Sequence, residues 1–564
     1  MTRVKSIFAA AVVAVIVGLV PAHATTSFQV VAAGSSAMFQ QMTLAAYNSL
    51  CIASTPAHTG CSHWSAKNGS GGASDLLNDS RVPTDGTGPI PQEGGTLSVV
   101  WGVRGDGSGI TDVWAYLTVD SVVGNRCYFA QPHCTILTNG SGTAGQNKIA
   151  AVLFDDNSSD VSLDATVAGT LNGHIITAAM TDIRPEDAVF AQKRVCAVLN
   201  TTTLAGLGYC AATTNQVGTQ ILGAASASGG AATPVCFNIT GHDCINTGSS
   251  VPASTTIPVG AAPIVFLVNR TTGGKLDASQ PFNLNTFSAQ RLFAGLDCES
   301  SAIDVISNGA ASGAVHVVMR EPLSGTMNTT EFTTFRNVAS AKNSQEVGVG
   351  ANNPVAALGC VHGGGDRTRA IGTGNLVGFV KATTDSVGYA FFSYGNVSSL
   401  TGASGNTNFG YLTLNGTDPI GLASGLPPGS PVPFPNQQLP FCNAPCPLAP
   451  NTSFPAVRNG GYSAWSVLRA VTDKTGVNNT NVAALVSAAQ ATVNSKIPDF
   501  VPFKAQADGD LGLLVFRSHY GTGAHNGINT AAEAGQDMGG CIELKADELA
   551  IAGDTVKEIL NCKQ

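Results

Sequence analysis

Charge is what this sequence has least of. Asp, Glu, Lys and Arg together make up 11% of its 564 residues, against about 25% in an ordinary globular chain. Acidic side chains outnumber basic ones, 36 to 28, and that balance argues against nucleic acid or an anionic membrane as a partner. The ten histidines form no His-Glu-x-x-His pattern, and His519 and His525 sit in a glycine loop. Among the cysteines only Cys442-Asn-Ala-Pro-Cys446 is a tight pair, with no second pair to complete a zinc site. Gly372 to Gly378 lacks the spacing of a dinucleotide loop. No internal repeat, serine elbow or Cys/His nucleophile pair stands out. These absences point away from an enzyme and from a metal or other cofactor.

Long apolar runs are also missing after residue 24. Before it, Arg3 and Lys5 precede an apolar stretch from Ile7 to Val20, and Ala22-His23-Ala24 ends in a small-x-small pattern. That is the layout of an export signal, too short for a spanning helix of roughly 20 apolar residues. No cysteine stands at the expected cut, which argues against a lipid anchor. The expected product is a soluble periplasmic or secreted chain of 540 residues with 26 basic and 36 acidic side chains. With so little charge, its surface must be Ser, Thr, Asn and Gly.

The chain is rich in cysteine, with fourteen residues spaced as near neighbours: 51/61, 127/134, 196/210, 236/244, 442/446, 541/562 and, further apart, 298/360. In an oxidising compartment seven local bridges are the simplest reading, pinning surface excursions.

Strand-like and helix-like stretches alternate. Phe28–Ala33 is an apolar run ending at Gly34-Ser35-Ser36, and Ala37–Leu50 is helical in pattern. His174–Met180 delivers Thr181-Asp182 before Arg-Pro-Glu-Asp, a helix opening. Pro263–Asn269 and Val387–Tyr394 read as strands, Phe287–Leu296 and Asn375–Thr383 as helices. Proline is dense over 421–455, a surface loop or tether, and Tyr462–Val471 opens a helical C-terminal region. Alternation of this kind predicts an α/β protein with largely parallel sheets.

One junction carries the chemistry. Ala314–Met319 alternates as a strand and runs into Arg320-Glu-Pro-Leu-Ser324-Gly325-Thr326, where a helix begins. Unpaired backbone N–H groups at such a turn favour an anion, and glycine lets the backbone come close. Arginine offers a flat fork matched to two oxygens of an oxyanion. The alternative is that Ser324 caps the helix and Arg320 pairs with a surface acid. A near copy, Arg104-Gly-Asp-Gly-Ser108-Gly109, lies between the β-rich runs Leu97–Val103 and Val113–Val119 and reads as a hairpin loop.

The order of parts resembles the periplasmic phosphate-binding protein (PstS-like) family of ABC-transporter solute receptors. Ala33-Gly-Ser-Ser36, Thr181-Asp182, Pro263–Asn269, Leu292-Phe-Ala-Gly295, Arg320-x-x-x-Ser-Gly-Thr326 and Val387-Gly-Tyr389 carry that resemblance. It covers about half the chain after residue 24, mostly 260–395. Much of 75–170, 200–255 and 400–450 has no counterpart and reads as insertions.

The resemblance implies an α/β, two-lobed type II binding-protein fold with a hinge and large disulfide-stapled insertions. One lobe would combine 25–268 with 455–564, and the other would hold 269–454. It implies an inorganic phosphate site of Ser36, Ala37, Asp182, Arg320, Ser324, Gly325 and Thr326, with Ser70 a further candidate. It also implies delivery to an ABC permease by a monomeric receptor. Asp182 would accept the proton that hydrogen phosphate carries and sulfate lacks; its alternative role is a helix N-cap. An extracellular phosphatase-like enzyme, or a surface protein that kept the lobes without the ligand, are the competing functions.

Overall fold

The computed structural model describes residues 27–38, 41–42, 45–46, 62–67, 72–74, 99–104, 112–118, 121–129, 133–137, 148–150, 173–183, 233–236, 244–247, 254–277, 283–303, 313–320, 324–335, 358–370, 372–392, 409–420, 454–495, 500–503, 513, 515–517, 542–544 and 559–561. The expected export signal, Ser70 and nearly all of the proline-dense stretch lie outside these residues.

The first strand, β1 (Ser27–Gly34), pairs in parallel with β3 (Asp112–Thr118) on one side and β4 (Ala178–Thr181) on the other. Successive residues 30–34 are all buried, so both faces of the strand are covered, and that explains its nearly unbroken apolar run. Beyond β3 lies β2 (Val99–Arg104), antiparallel to it, with Arg104 opposite Val113. The flanking runs pair as a hairpin at the Arg104 copy requires, and the loop itself, 105–111, lies outside the described residues. The helix α1 (Ser121–Phe129) follows β3 and lies close enough to β1 that a β-carbon on Gly124 would stand 2.5 Å from the Ala33 carbonyl oxygen.

The longest strand, β5 (Ser254–Asn269), holds the sheet together. Its first part, Ser254 to Pro263, runs antiparallel to β10 (Trp465–Asp473), which in turn pairs with β4. Its last part, Ile264 to Asn269, runs antiparallel to β8 (Ser386–Phe391) and β9 (Phe409–Leu414). The parallel strands β6 (His316–Arg320) and β7 (Asp366–Ala370) continue beyond β8. The changeover falls at Pro263, which has no N–H to give. Its carbonyl accepts from Phe392 at 2.9 Å, while the Ile264 N–H turns to Ala464 at 2.7 Å. The Tyr462 hydroxyl closes the junction on the Ile264 carbonyl at 2.5 Å.

The helices α2 (Thr286–Ala294), α3 (Gly325–Thr330), α4 (Gly372–Ala382) and α5 (Val477–Ser495) complete the frame. Asn285 caps α2 through the Ser288 N–H, and Gly295 ends it in the left-handed region at φ 72°. Phe293, Phe335 and Tyr389 gather around Phe266 of β5, with ring centroids 4.6 to 6.4 Å apart. Burying each such ring contributes about 1.5–3 kcal/mol.

Three expectations change. The sheet is mixed, because β5 and β10 run against their neighbours. The apolar block Tyr462–Val471 is mostly strand, and the C-terminal helix begins only at Val477. Residues 99–129, expected within an insertion, supply β2 and β3 to the main sheet and α1 beside it. Two expected bridges, Cys127–Cys134 and Cys298–Cys360, are present. Neither is a surface staple, since Cys127, Cys134 and Cys298 are fully buried. The longer loop, 62 residues, is the one whose closure stabilises more, on the order of 4 kcal/mol. Cys236 and Cys244 stand opposite each other in a short antiparallel pair, 233–236 with 244–247.

Gly34 has φ 148°, and a β-carbon there would lie 1.8 Å from the Met180 carbonyl oxygen. Gly34→Ala is therefore expected to cost more than about 3 kcal/mol in urea unfolding. A cost below 1 kcal/mol would show that β1 and β4 do not meet this closely.

Candidate functional site

Five strands send their carboxyl ends toward one buried carboxylate. Gly34 is the register partner of both Thr118 on β3 and Met180 on β4, so the three strands finish side by side. Ser35 and Asp182 follow β1 and β4 at once, and Ser121 comes three residues after Thr118, at the start of α1. From the other part of the sheet, β6 ends at Arg320, whose register partner on β7 is Ala370, and α4 starts two residues beyond. Ligands in open α/β sheets bind outside such strand ends.

Asp182 is 3% exposed. Its Oδ1 accepts a very short hydrogen bond from the Ser121 hydroxyl, and the same hydroxyl accepts the Asp182 backbone N–H at 3.1 Å. A β-carbon on Gly325 would fall 1.6 Å from Asp182 Oδ1 and 2.9 Å from Ser121 Oγ. Only glycine lets the start of α3 approach this carboxyl. The Asp182 carbonyl accepts from Ser466 Oγ of β10 at 2.9 Å and from Thr329 Oγ1 of α3 at 3.3 Å. Asn125 ties α1 to the end of β4, donating to the Ser121 carbonyl and to Thr181 Oγ1, each at 2.9 Å.

Burial pushes the Asp182 carboxyl above the usual carboxylate range, because removing a charge from water is costly. Hydrogen bonds from Ser121, its own backbone and Ser35, with the attraction of Arg320, pull the other way without cancelling that effect.

Arg320 is 2% exposed. Its backbone N–H donates to the Tyr389 hydroxyl at 3.3 Å, and its Nη1 donates to Thr373 Oγ1 at 2.5 Å and to Thr326 Oγ1 at 3.5 Å. Ser324 accepts the Met327 N–H on its hydroxyl at 3.3 Å, capping α3. The Asn328 side chain donates to the Ser324 carbonyl at 2.8 Å. So the capping reading of Ser324 holds, and Arg320 is buried, with Thr373 and Thr326 among the partners of its guanidinium.

The structure thus brings together Asp182, Arg320, Ser324, Gly325 and Thr326. Ser36 is half-buried at the start of the short helical turn Ser36–Met38, and Ala37 is buried with its N–H on Ser35 Oγ at 3.2 Å. The hydroxyl of this turn that favours the charged form of Asp182 belongs to Ser35, one residue earlier. Ser121 and Thr373 were not picked out in the sequence. The legible signal for Ser121 was a serine two residues after the β-rich run Val113–Val119. For Thr373 it was the Gly372-Thr373-Gly374 turn opening a helix.

No family model matches the chain, and no curated protein matches its sequence. Solved structures similar to it are phosphate-binding proteins. A phosphate-binding protein from Stenotrophomonas maltophilia is 15% identical, with 62% of this chain and 84% of that one covered, at a TM-score of 0.28. A phosphate ABC-transporter substrate-binding protein from Clostridium perfringens, with bound phosphate, is 11% identical over 55% of this chain and 96% of that one, at 0.26. A human phosphate-binding apolipoprotein is 12% identical over 67% of this chain and 89% of that one, also at 0.26. Likeness at this level carries no functional argument, which rests on the geometry.

Because the folded chain holds the Asp182 proton more tightly than the unfolded chain does, stability falls as pH rises from the ordinary carboxylate range through the raised value. Asp182→Asn lacks that penalty. In phosphate-free buffer the variant is expected to gain stability over the parent as pH rises toward neutral and to lose the advantage in acid. Urea unfolding at a series of pH values checks this; a constant difference across pH would contradict it.

Proposed function

We propose that this chain is an exported receptor for a small tetrahedral oxyanion, inorganic phosphate foremost, that passes its ligand to an ABC permease. The observation that carries the reading is the meeting of Asp182 with Arg320 and the Ser324–Thr326 turn across the sheet, among the hydroxyls of Ser35 and Ser121. One acceptor lies among many donors in a place nearly free of water. An anion entering there parts Asp182 from Gly325 and takes the hydroxyl, guanidinium and backbone donors. Ser36 and Ala37 adjoin the same turn and belong to the proposed set; Ser121 joins it.

The selectivity follows from the carboxyl. A phosphate oxygen that carries a proton donates it to Asp182, whereas sulfate offers only lone pairs to an oxygen that also has them. Two unpaired acceptors facing each other without water repel, so one residue disfavours the wrong anion. The scarcity of surface charge is no obstacle, because fixed local donors do the binding.

The two sets of strands on β5 would act as two lobes, close to the division 25–268 with 455–564 and 269–454 but with the changeover moved to Pro263. The neighbouring passages at Pro263–Ile264 and Tyr462–Trp465 would form the hinge. Separation of the lobes opens the site, and closure brings Arg320 to Asp182.

Titration calorimetry tests the reading. The parent is expected to bind phosphate and to leave sulfate alone. Arg320→Ala should weaken phosphate binding by a hundredfold or more, the usual scale for removing a buried charged partner. Arg104→Ala should leave it unchanged. No heat with any anion, or hydrolytic turnover of phosphate esters, would replace the receptor with one of the competing functions.

A further inference from the structure

Arginine has four rotatable bonds, so burying one does not by itself aim its fork. Among the described residues, two hydroxyls reach the Arg320 guanidinium. From its own turn, Thr326 Oγ1 stands 3.5 Å from Nη1; from 53 residues away, Thr373 Oγ1 stands at 2.5 Å. Thr373 is 3% exposed and lies in the first turn of α4. The parallel register of Arg320 with Ala370 fixes where that turn begins relative to the guanidinium. Threonine is branched at Cβ and stiff at χ1, so its hydroxyl stays where burial puts it. Its chemistry suits the task as well. A carboxylate at this point would neutralise the guanidinium and compete with an incoming anion, whereas a hydroxyl accepts one N–H and leaves the full positive charge.

We infer that Thr373 is a positioning residue for anion capture, holding the Arg320 guanidinium so that its fork faces Asp182 and the Ser324–Thr326 turn. The inference rests on the oxyanion reading and assigns a residue that reading does not require.

The test compares Thr373→Val, which keeps the shape and removes the hydroxyl, with Thr373→Ser, which keeps the hydroxyl. In calorimetry with inorganic phosphate, Thr373→Val is expected to bind about tenfold more weakly, the scale of one hydrogen bond to a charged group. Thr373→Ser should stay within about twofold of the parent. In an Arg320→Lys background, where no fork remains to be aimed, Thr373→Val should cost nothing further. Phosphate binding by Thr373→Val equal to that of the parent overturns the inference, and so does an undiminished loss in the Arg320→Lys background.

A second readout works without ligand. Among the described residues the charged group acting on Asp182 is Arg320, beside the hydroxyls of Ser35 and Ser121. Freeing the guanidinium weakens its pull, so the Asp182 titration followed by carbon-13 NMR should move upward in Thr373→Val and not in Thr373→Ser. If the parent takes up no phosphate at all, the receptor reading falls, and an unchanged Asp182 titration then overturns the role of Thr373 separately.

Discussion

A carboxylate almost wholly removed from water is the constraint around which this molecule is arranged. Asp182 has Ser121, Ser35 and Arg320 to favour its charged form, and burial still outweighs them. Such a group does nothing for stability that an apolar side chain of its size would not do better. Its neighbours make sense as a set of donors built for something that the carboxyl helps to select. Sites that hold a perturbed acid among convergent donors are commonly functional, and the cost is borne by the rest of the fold.

The rest of the fold bears it through one strand. Both parts of the sheet take their register from β5, so the distance between Asp182 and Arg320 depends on how that strand passes Pro263. Around the carboxyl, glycine does what no other residue can. Gly34 lets β1 end against the Met180 carbonyl, and Gly325 lets the start of α3 touch Asp182. The buried ring cluster of Phe266, Phe293, Phe335 and Tyr389 sits behind Arg320, and Tyr389 links the two by receiving the Arg320 N–H.

Much of this was legible in the residues. Strand β1, the helix cap at Ser324, the antiparallel pairing of the β-rich runs on either side of 105–111 and the bridges Cys127–Cys134 and Cys298–Cys360 all follow from local pattern or spacing. Those features depend on neighbours within a few residues, or on a residue type with few possible roles. Hidden features were of another kind. The reversal of β5 and β10 against the parallel strands has no local signature, because an apolar strand reads alike in either direction. The apolar block at 462–471 looked helical for the same reason: a buried strand and a buried helix segment share composition.

By itself the sequence determined which residues were chemically able to hold an oxyanion: an arginine before Ser-Gly-Thr, an aspartate at a strand end, and serines after glycine. Side-chain type and local turn geometry are enough for that. Tertiary structure alone decided which of them meet. It set the Ser35 hydroxyl where it favours the charged form of Asp182, and it brought in Ser121 and Thr373. Pairing between strands far apart in the chain sets which ends lie together, and that pairing is written in no single stretch of residues.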